Sequence, residues 1–261
     1  DLDDYNIIIS GLLDIDNVPL LDLNAKGKGD LEGISFSHID AKTLGGLASA
    51  SGRVDWSNGI TVKSQIATKA VHLDKYWPDI KLQPSGDAKV DFKLDQELDN
   101  DWRVHVHDIN VAANVEGYPL RLQGELILDQ NLYWKVDNLL LSRGDDSIQL
   151  DGVIHEQFKL GGEVDIKALT PYLTGSRGSA FGYFTVIGDK AQPWLNFDLF
   201  TDNVLFKGNK LKRADLNGQI SLSERPEGVI ALSAEEITIG EQVINEVTLD
   251  YTADRNSNGI S

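Results

Sequence analysis

"YPLRLQGELIL", residues 118–128, decides the fold. Tyr118, Leu120, Leu122, Leu126 and Leu128 fall on one side of an extended chain, and Arg121, Gln123 and Glu125 on the other. Successive side chains of a β-strand leave on opposite faces, so this period of two marks a half-buried strand. The stretches around it repeat the pattern. "NLYWKV" places Leu132, Trp134 and Val136 in phase, and "SIQLDGVI" does the same with Ile148, Leu150 and Ile154. "WLNFDLF" adds Leu195, Phe197 and Leu199, and "VINEVTLDY" adds Val243, Val247, Leu249 and Tyr251. "WRVHVHDINVAANV" alternates at Trp102, Val104 and Val106, then resumes one step out of phase at Ile109, Val111 and Val115. That slip predicts a bulge or strand break near His107–Asp108.

Turn chemistry separates the runs: "SNG" at 57–59, "DQN" at 129–131, "RGDD" at 143–146, "KGN" at 207–209 and "ERPEG" at 224–228. Together with 24 glycines, this spacing predicts roughly twenty short strands. No long segment has the period of an amphipathic helix. The helical candidates are single turns at Leu73–Tyr76 and Leu169–Tyr172. They open two similar phrases, "LDKYWPDIKLQPSG" (73–86) and "LTPYLTGSRGSAFG" (169–182), each followed four residues later by a valine, Val90 and Val186. The expectation is a weak internal repeat over 73–90 and 169–186. In it a strand ends, one turn covers the end of the sheet with Leu and Tyr on a shared face, and a strand follows the Gly. A fainter echo links "VLFKGNKLKRADL" (204–216) with "ITIGEQVINEVTL" (237–249) as strand, tight connection, strand. Such echoes suit a fold grown by adding similar strand units. The whole of 1–261 is read as one continuous β-segment of a longer chain.

The fold class expected is therefore all-β. With one apolar face per strand and no covering helices, three architectures remain. The sheet packs on a second sheet, closes as a barrel, or curls into an elongated groove that shelters its own apolar face.

Composition narrows the function. The net charge of −17, from 41 acidic and 24 basic residues, disfavours nucleic acid, whose phosphates require a basic footprint. The chain has no Cys, which excludes disulfides, a thiolate nucleophile and a Cys-ligated zinc site. It also has no Met, even at position 1, so its natural start is expected elsewhere, and any membrane anchor with it. No apolar run approaches the ~20 residues of a membrane-spanning helix.

Residues that carry chemistry are few. "HVH" sets His105 and His107 on one face of a strand, as a zinc or cupin-type site would. The next Glu is Glu116, too far along for that pattern, and the pair reads as exposed histidines beside Arg103. "DRNSNGI" (Asp254, Asn256, Asn258, Gly259) resembles the opening of a calcium loop but lacks the twelfth-position Glu, and reads as a polar tail. There is no G-x-S-x-G and no P-loop. The expectation is a protein that is not an enzyme, with no cofactor, no metal and no nucleic acid.

Residues 44–92, which begin "LGGLASASGRVDW", resemble the TamB family of translocation and assembly module subunits, in the AsmA-like group. The Gly-rich strand, the "G-x-V-x-W" phrase and the acidic, aromatic, Trp-Pro turn carry the likeness. Residues 172–220, including "GDKAQPWLNFDL", extend it, so the resemblance covers roughly 20–220. It implies a mid-body periplasmic segment of a protein anchored in the inner membrane of a Gram-negative bacterium. It also implies a curled β-groove that shelters phospholipid acyl chains and supports phospholipid transport and outer-membrane protein assembly. The partners implied are acyl chains, neighbouring segments of the parent chain, and a TamA-type Omp85 protein reached through the parent. The groove lining expected is Val104, Val106, Leu120, Leu122, Leu126, Leu128, Leu132, Trp134 and Val136. It continues with Ile148, Leu150, Ile154, Leu195, Phe197, Leu199, Val247 and Leu249. A different class stays open: a scaffold that binds envelope proteins through its acidic face or its strand edges.

Overall fold

The computed structural model describes residues 4–14, 19–78, 83–95, 101–115, 118–223, 226–253 and 258–260. Residues 79–82 of the first repeated phrase, Glu116, the start of "ERPEG" and the tail residues Asp254 and Asn256 lie outside them. The chain divides into two compact units, 1–144 and 145–261.

The first unit holds β1 (Tyr5–Leu13), β2 (Leu21–Gly29), β3 (Gly33–Thr43), β4 (Gly46–Asp55) and β5 (Ile60–Lys69). It continues with β6 (Ser85–Asp95), β7 (Asp101–Val115), β8 (Tyr118–Asp129) and β9 (Trp134–Arg143). The second unit holds β10 (Asp146–Ile154), β11 (Gln157–Ile166), β12 (Ser176–Asp189) and β13 (Trp194–Phe206). It ends with β14 (Asn209–Ser221), β15 (Gly228–Ile239), β16 (Gln242–Ala253) and the short β17 (Asn258–Ile260). In each unit every strand pairs antiparallel with the next in sequence, an uninterrupted meander. In place of the expected twenty short strands, the described residues form seventeen longer ones. Several links are two-residue turns, such as Lys207–Gly208 with both residues at positive φ, and they leave more of the chain for strand.

Among the described residues neither unit has a second layer. Among the described residues each strand touches only its sequence neighbours, so neither sheet closes into a barrel or packs on another sheet. The accessible surface of 16932 Å² compares with about 11,300 Å² for a compact monomer of this mass. The buried strand hydrophobics Ala25, Ile34, Ile109, Val136, Ala214 and Ala234 all sit on one face of their sheet by register. With nothing packed above them, the neighbours on that face must lean over them. Each sheet is thus curled toward its apolar face.

Bulges supply part of the curl. The register of β6, β7 and β8 shifts at Asp108, which stands at φ 51°. This is the break that the phase slip at His107–Asp108 predicts. Asn138 (φ 48°) and Asn203 (φ 50°) do the same in β9 and β13, and β3 shifts between Phe36 and Ile39. An extra residue bends the bulged strand and tightens its twist.

At both repeated phrases the chain makes one helical turn with matching bonds. The amides of Tyr76 and Trp77 donate to the Leu73 carbonyl, and those of Tyr172 and Leu173 to the Leu169 carbonyl. Two details differ from expectation. Tyr172 is exposed rather than sealing the sheet end. The strands also begin before the glycines: Gly86 is the second residue of β6, and Gly182 lies within β12. Leu132 is a further correction. It lies in the turn between β8 and β9, where the Asp129 carboxylate accepts from the amides of Asn131 and Tyr133, and its side chain is 56% exposed.

Candidate functional site

The feature that sets this molecule apart is the apolar face of each sheet, over which its own unit places no second layer among the described residues. Residues directly opposite in antiparallel pairs project on the same side, so the register traces rows across strands. In the first unit one row runs Tyr5, Gly29, Ile34, Val54, Val62, Phe92, Val104, Leu128, Trp134, one residue from each of its nine strands. Its only polar side-chain groups are the Tyr5 hydroxyl and the Trp134 indole N–H. The next row toward the bulges ends Val90, Val106, Leu126, Val136. In the second unit a row runs Leu150, Gly162, Phe184, Phe197, Gly218, Ile230, Tyr251.

Glycines in these rows lie under aromatic rings. A Cβ on Gly29 would run into the Tyr5 ring, one on Gly162 into Phe184, and one on Gly218 into Phe197. Each ring therefore lies down over its neighbour strand. The result is a shallow, continuous apolar floor, where two upright side chains would leave a ridge and a gap.

The opposite face is charged. Across β4 to β9 one row reads Arg53, Lys63, Asp91, His105, Ile127, Lys135. Lys89 Nζ lies 2.5 Å from Asp108 Oδ2, and Lys135 Nζ lies 2.6 Å from Asp137 Oδ2. The hydrogen bond from each lysine, reinforced by its charge, holds the Asp108 and Asp137 carboxyls below the ordinary carboxylate range. His105 contacts Glu125 at 3.1 Å and His107 contacts Asp91 at 3.5 Å, with the two imidazole centroids 4.8 Å apart. Among the described residues no group of three or more such side chains is placed to hold a metal ion.

Sixteen of the seventeen expected lining residues fall on the apolar face of their own unit. Leu120, Leu122, Leu126 and Leu128 stand opposite residues of β7 and β9 on that face, whereas Arg121 and Glu125 point away. Leu132, in its turn, is the exception. The alternation did not reveal the glycines beneath the rings. Their signal was available: Gly27, Gly29, Gly162 and Gly218 occupy apolar-phase positions of their runs. Trp134, Ile148 and Leu249 are exposed, and most of the rest are half-buried.

Geometry alone defines a class: an open antiparallel β-scaffold with an apolar floor in each unit and a charged outer face. The chain belongs to the TamB family. The family described as TamB, N-terminal domain, matches residues 1–258, where the sequence reading places a mid-body segment. The chain is similar to the translocation and assembly module subunit TamB of Haemophilus influenzae, with 22% identity over 236 residues, 90% of this chain and 18% of that protein. It thus spans less than a fifth of that relative's length. No solved structure matches.

Proposed function

We propose that this chain is a periplasmic portion of an inner-membrane-anchored, envelope-spanning protein, and that its apolar floors shelter phospholipid acyl chains. Its work is then to support phospholipid transport to the outer membrane and the assembly of outer-membrane proteins, without catalysis. A TamA-type partner is reached through the parent chain.

The observation that carries this reading is the row of apolar residues that crosses all nine strands of the first unit with no layer above it. Exposed apolar surface of this extent is retained where something apolar visits it. Each Å² withdrawn from water on contact with an acyl chain is worth about 25 cal/mol. Headgroups remain in water above the floor, so no buried polar group is needed to receive them.

The test is site-specific photo-crosslinking in the full-length parent protein in cells. A photoreactive residue at Leu122 is expected to capture phospholipid, and one at Arg121 is not, because adjacent strand positions face opposite sides. Equal capture at both positions would sink the assignment.

A further inference from the structure

The charged face of the second unit carries aromatic rings that no apolar floor requires. Two cross-strand rows hold them. One reads Asp165, Phe181, Phe200, Asp215 over β11 to β14, and the next reads Glu163, Tyr183, Asp198 over β11 to β13. These positions alternate with Gly182, Phe184, Phe197 and Leu199, which belong to the apolar side. The Phe181 and Tyr183 rings meet edge to face with centroids 5.0 Å apart. Tyr183 is 51% exposed and Phe200 36%. The first unit differs: its strand aromatics, Tyr5, Phe36, Phe92, Trp102, Tyr118 and Trp134, all fall in the apolar phase. A cluster of exposed rings on a charged face marks a contact surface.

Carboxylates bracket both rows. Tyr183 has Glu163 opposite it on one neighbouring strand and Asp198 on the other, and the Phe181–Phe200 pair lies between Asp165 and Asp215. Each ring is thus one strand spacing, about 4.8 Å, from an acid. Two cations stand beside the rows: Lys167 Nζ lies 2.7 Å from Asp165 Oδ2, and Arg213 Nε lies 3.1 Å from Asp215 Oδ1. The Tyr183 row has none, since beyond Glu163 and Asp198 it continues into Gln149 and Asn217. The corresponding face of the first unit is mixed, with Arg53, Lys63 and Lys135 in one row with Asp91.

A ring with a carboxylate on either side matches a guanidinium, whose flat face stacks on the ring while its N–H groups donate to the acids. The two rows are two residues apart along the strands, about 6.8 Å, which is also the spacing of alternate side chains in an extended chain. We infer that this face docks an extended segment of a partner protein that carries arginines at alternate positions, one over Tyr183 and the next over the Phe181–Phe200 pair. A lysine would supply the charge without the flat face. A neutral partner would cover the carboxylates and leave them without a counter-charge. The surface lies on the side away from the apolar floor, so it stands independently of the acyl-chain reading.

The test titrates the purified chain by calorimetry, at ~150 mM salt to screen diffuse attraction, with three probes: a peptide of alternating Arg and Thr, its Lys–Thr counterpart, and chitohexaose. The arginine peptide is expected to bind at least about fivefold more tightly than the lysine peptide, the order of two stacked guanidiniums. Y183S/F200S is expected to abolish that preference. E163Q/D198N is expected to weaken both peptides, whereas D40N/D91N, which removes the same charge from the first unit's outer face, leaves them within about twofold. Tyr183, Asp198 and Phe200 are exposed and Glu163 is half-buried, so the variants should keep wild-type circular dichroism. Should Y183S/F200S fail to fold, the comparison of E163Q/D198N with D40N/D91N and the two peptides on the wild type still decide the matter. Equal binding of the two peptides, an unchanged Y183S/F200S, or a loss in D40N/D91N as large as in E163Q/D198N would overturn the surface. Binding of chitohexaose in place of the arginine peptide would assign the rings to a sugar and overturn it as well.

Discussion

Asn138 and Asn203 show how single residues shape the sheets. Each holds left-handed backbone inside a strand, at φ 48° and 50°, a conformation that Asn tolerates and β-branched residues do not. Each bulge also needs room on the neighbouring strand. A Cβ on Gly124 would stand 2.7 Å from the Asn138 carbonyl oxygen, and one on Gly178 would stand 2.8 Å from that of Asn203. Bulge and glycine are therefore one device written on two strands. Asn203→Gly is expected to leave stability nearly unchanged. Asn203→Val should lower it by about 1–2 kcal/mol, the penalty of left-handed backbone for an L-residue. Gly178→Ala should cost at least as much, since it combines φ +113° with the collision. Urea midpoints of the three variants check the order, and a neutral Asn203→Val would show that the bulge is not held as described. The sequence announced only one of these bulges. The restart after His107 was legible because apolar residues continue on both sides of the slip. "VDNLLL" hides its slip, since three consecutive leucines fit either phase.

Among the long strands, β1 stands apart in its lack of charge. "YNIIISGLL" carries no charge over nine residues, and within its unit it pairs with β2 alone among the described residues. Ile8 is 76% exposed and Leu12 72%, on the face that is polar in the other strands. Proteins blunt open edges with lysines, prolines or bulges, and β1 has none. The isolated chain is expected to associate with rising concentration through this strand. Lysines at Ile8 and Leu12 should restore the monomer. Sedimentation decides it, and a wild-type chain that stays monomeric at high concentration would rule the edge out. Element type was legible throughout, because alternation is a local property of the chain. Leu132 was misplaced for the same reason. It sits in phase with apolar neighbours, yet it belongs to a turn fixed by backbone and Asx hydrogen bonds that hydrophobic phase does not register.

At the scale of the whole molecule the open question in the sequence was what covers the apolar face. Alternation is the same for a strand in a sandwich, in a barrel or in an open sheet, so periodicity left all three standing. The structure separates them by what a charge on that face would do. In a closed core, Leu122→Arg would bury an unpaired cation at a penalty of several kcal/mol, and the segment would unfold. Here Leu122 is half-buried between Val111 and Leu141, with no layer above it. The arginine can lay its methylenes along the floor and lift its guanidinium into water. The expected outcome is a split phenotype. The purified segment keeps its strand signature and loses little of its unfolding midpoint. The full-length protein carrying the same change loses lipid capture along the row that includes Val111 and Leu141, because an acyl chain would have to pass a fixed charge. Circular dichroism with urea titration reads the first half, and crosslinking from position 141 reads the second. Outright unfolding of the segment would mean that this face is closed core. An intact fold with undiminished capture at 141 would mean that acyl chains do not travel along it.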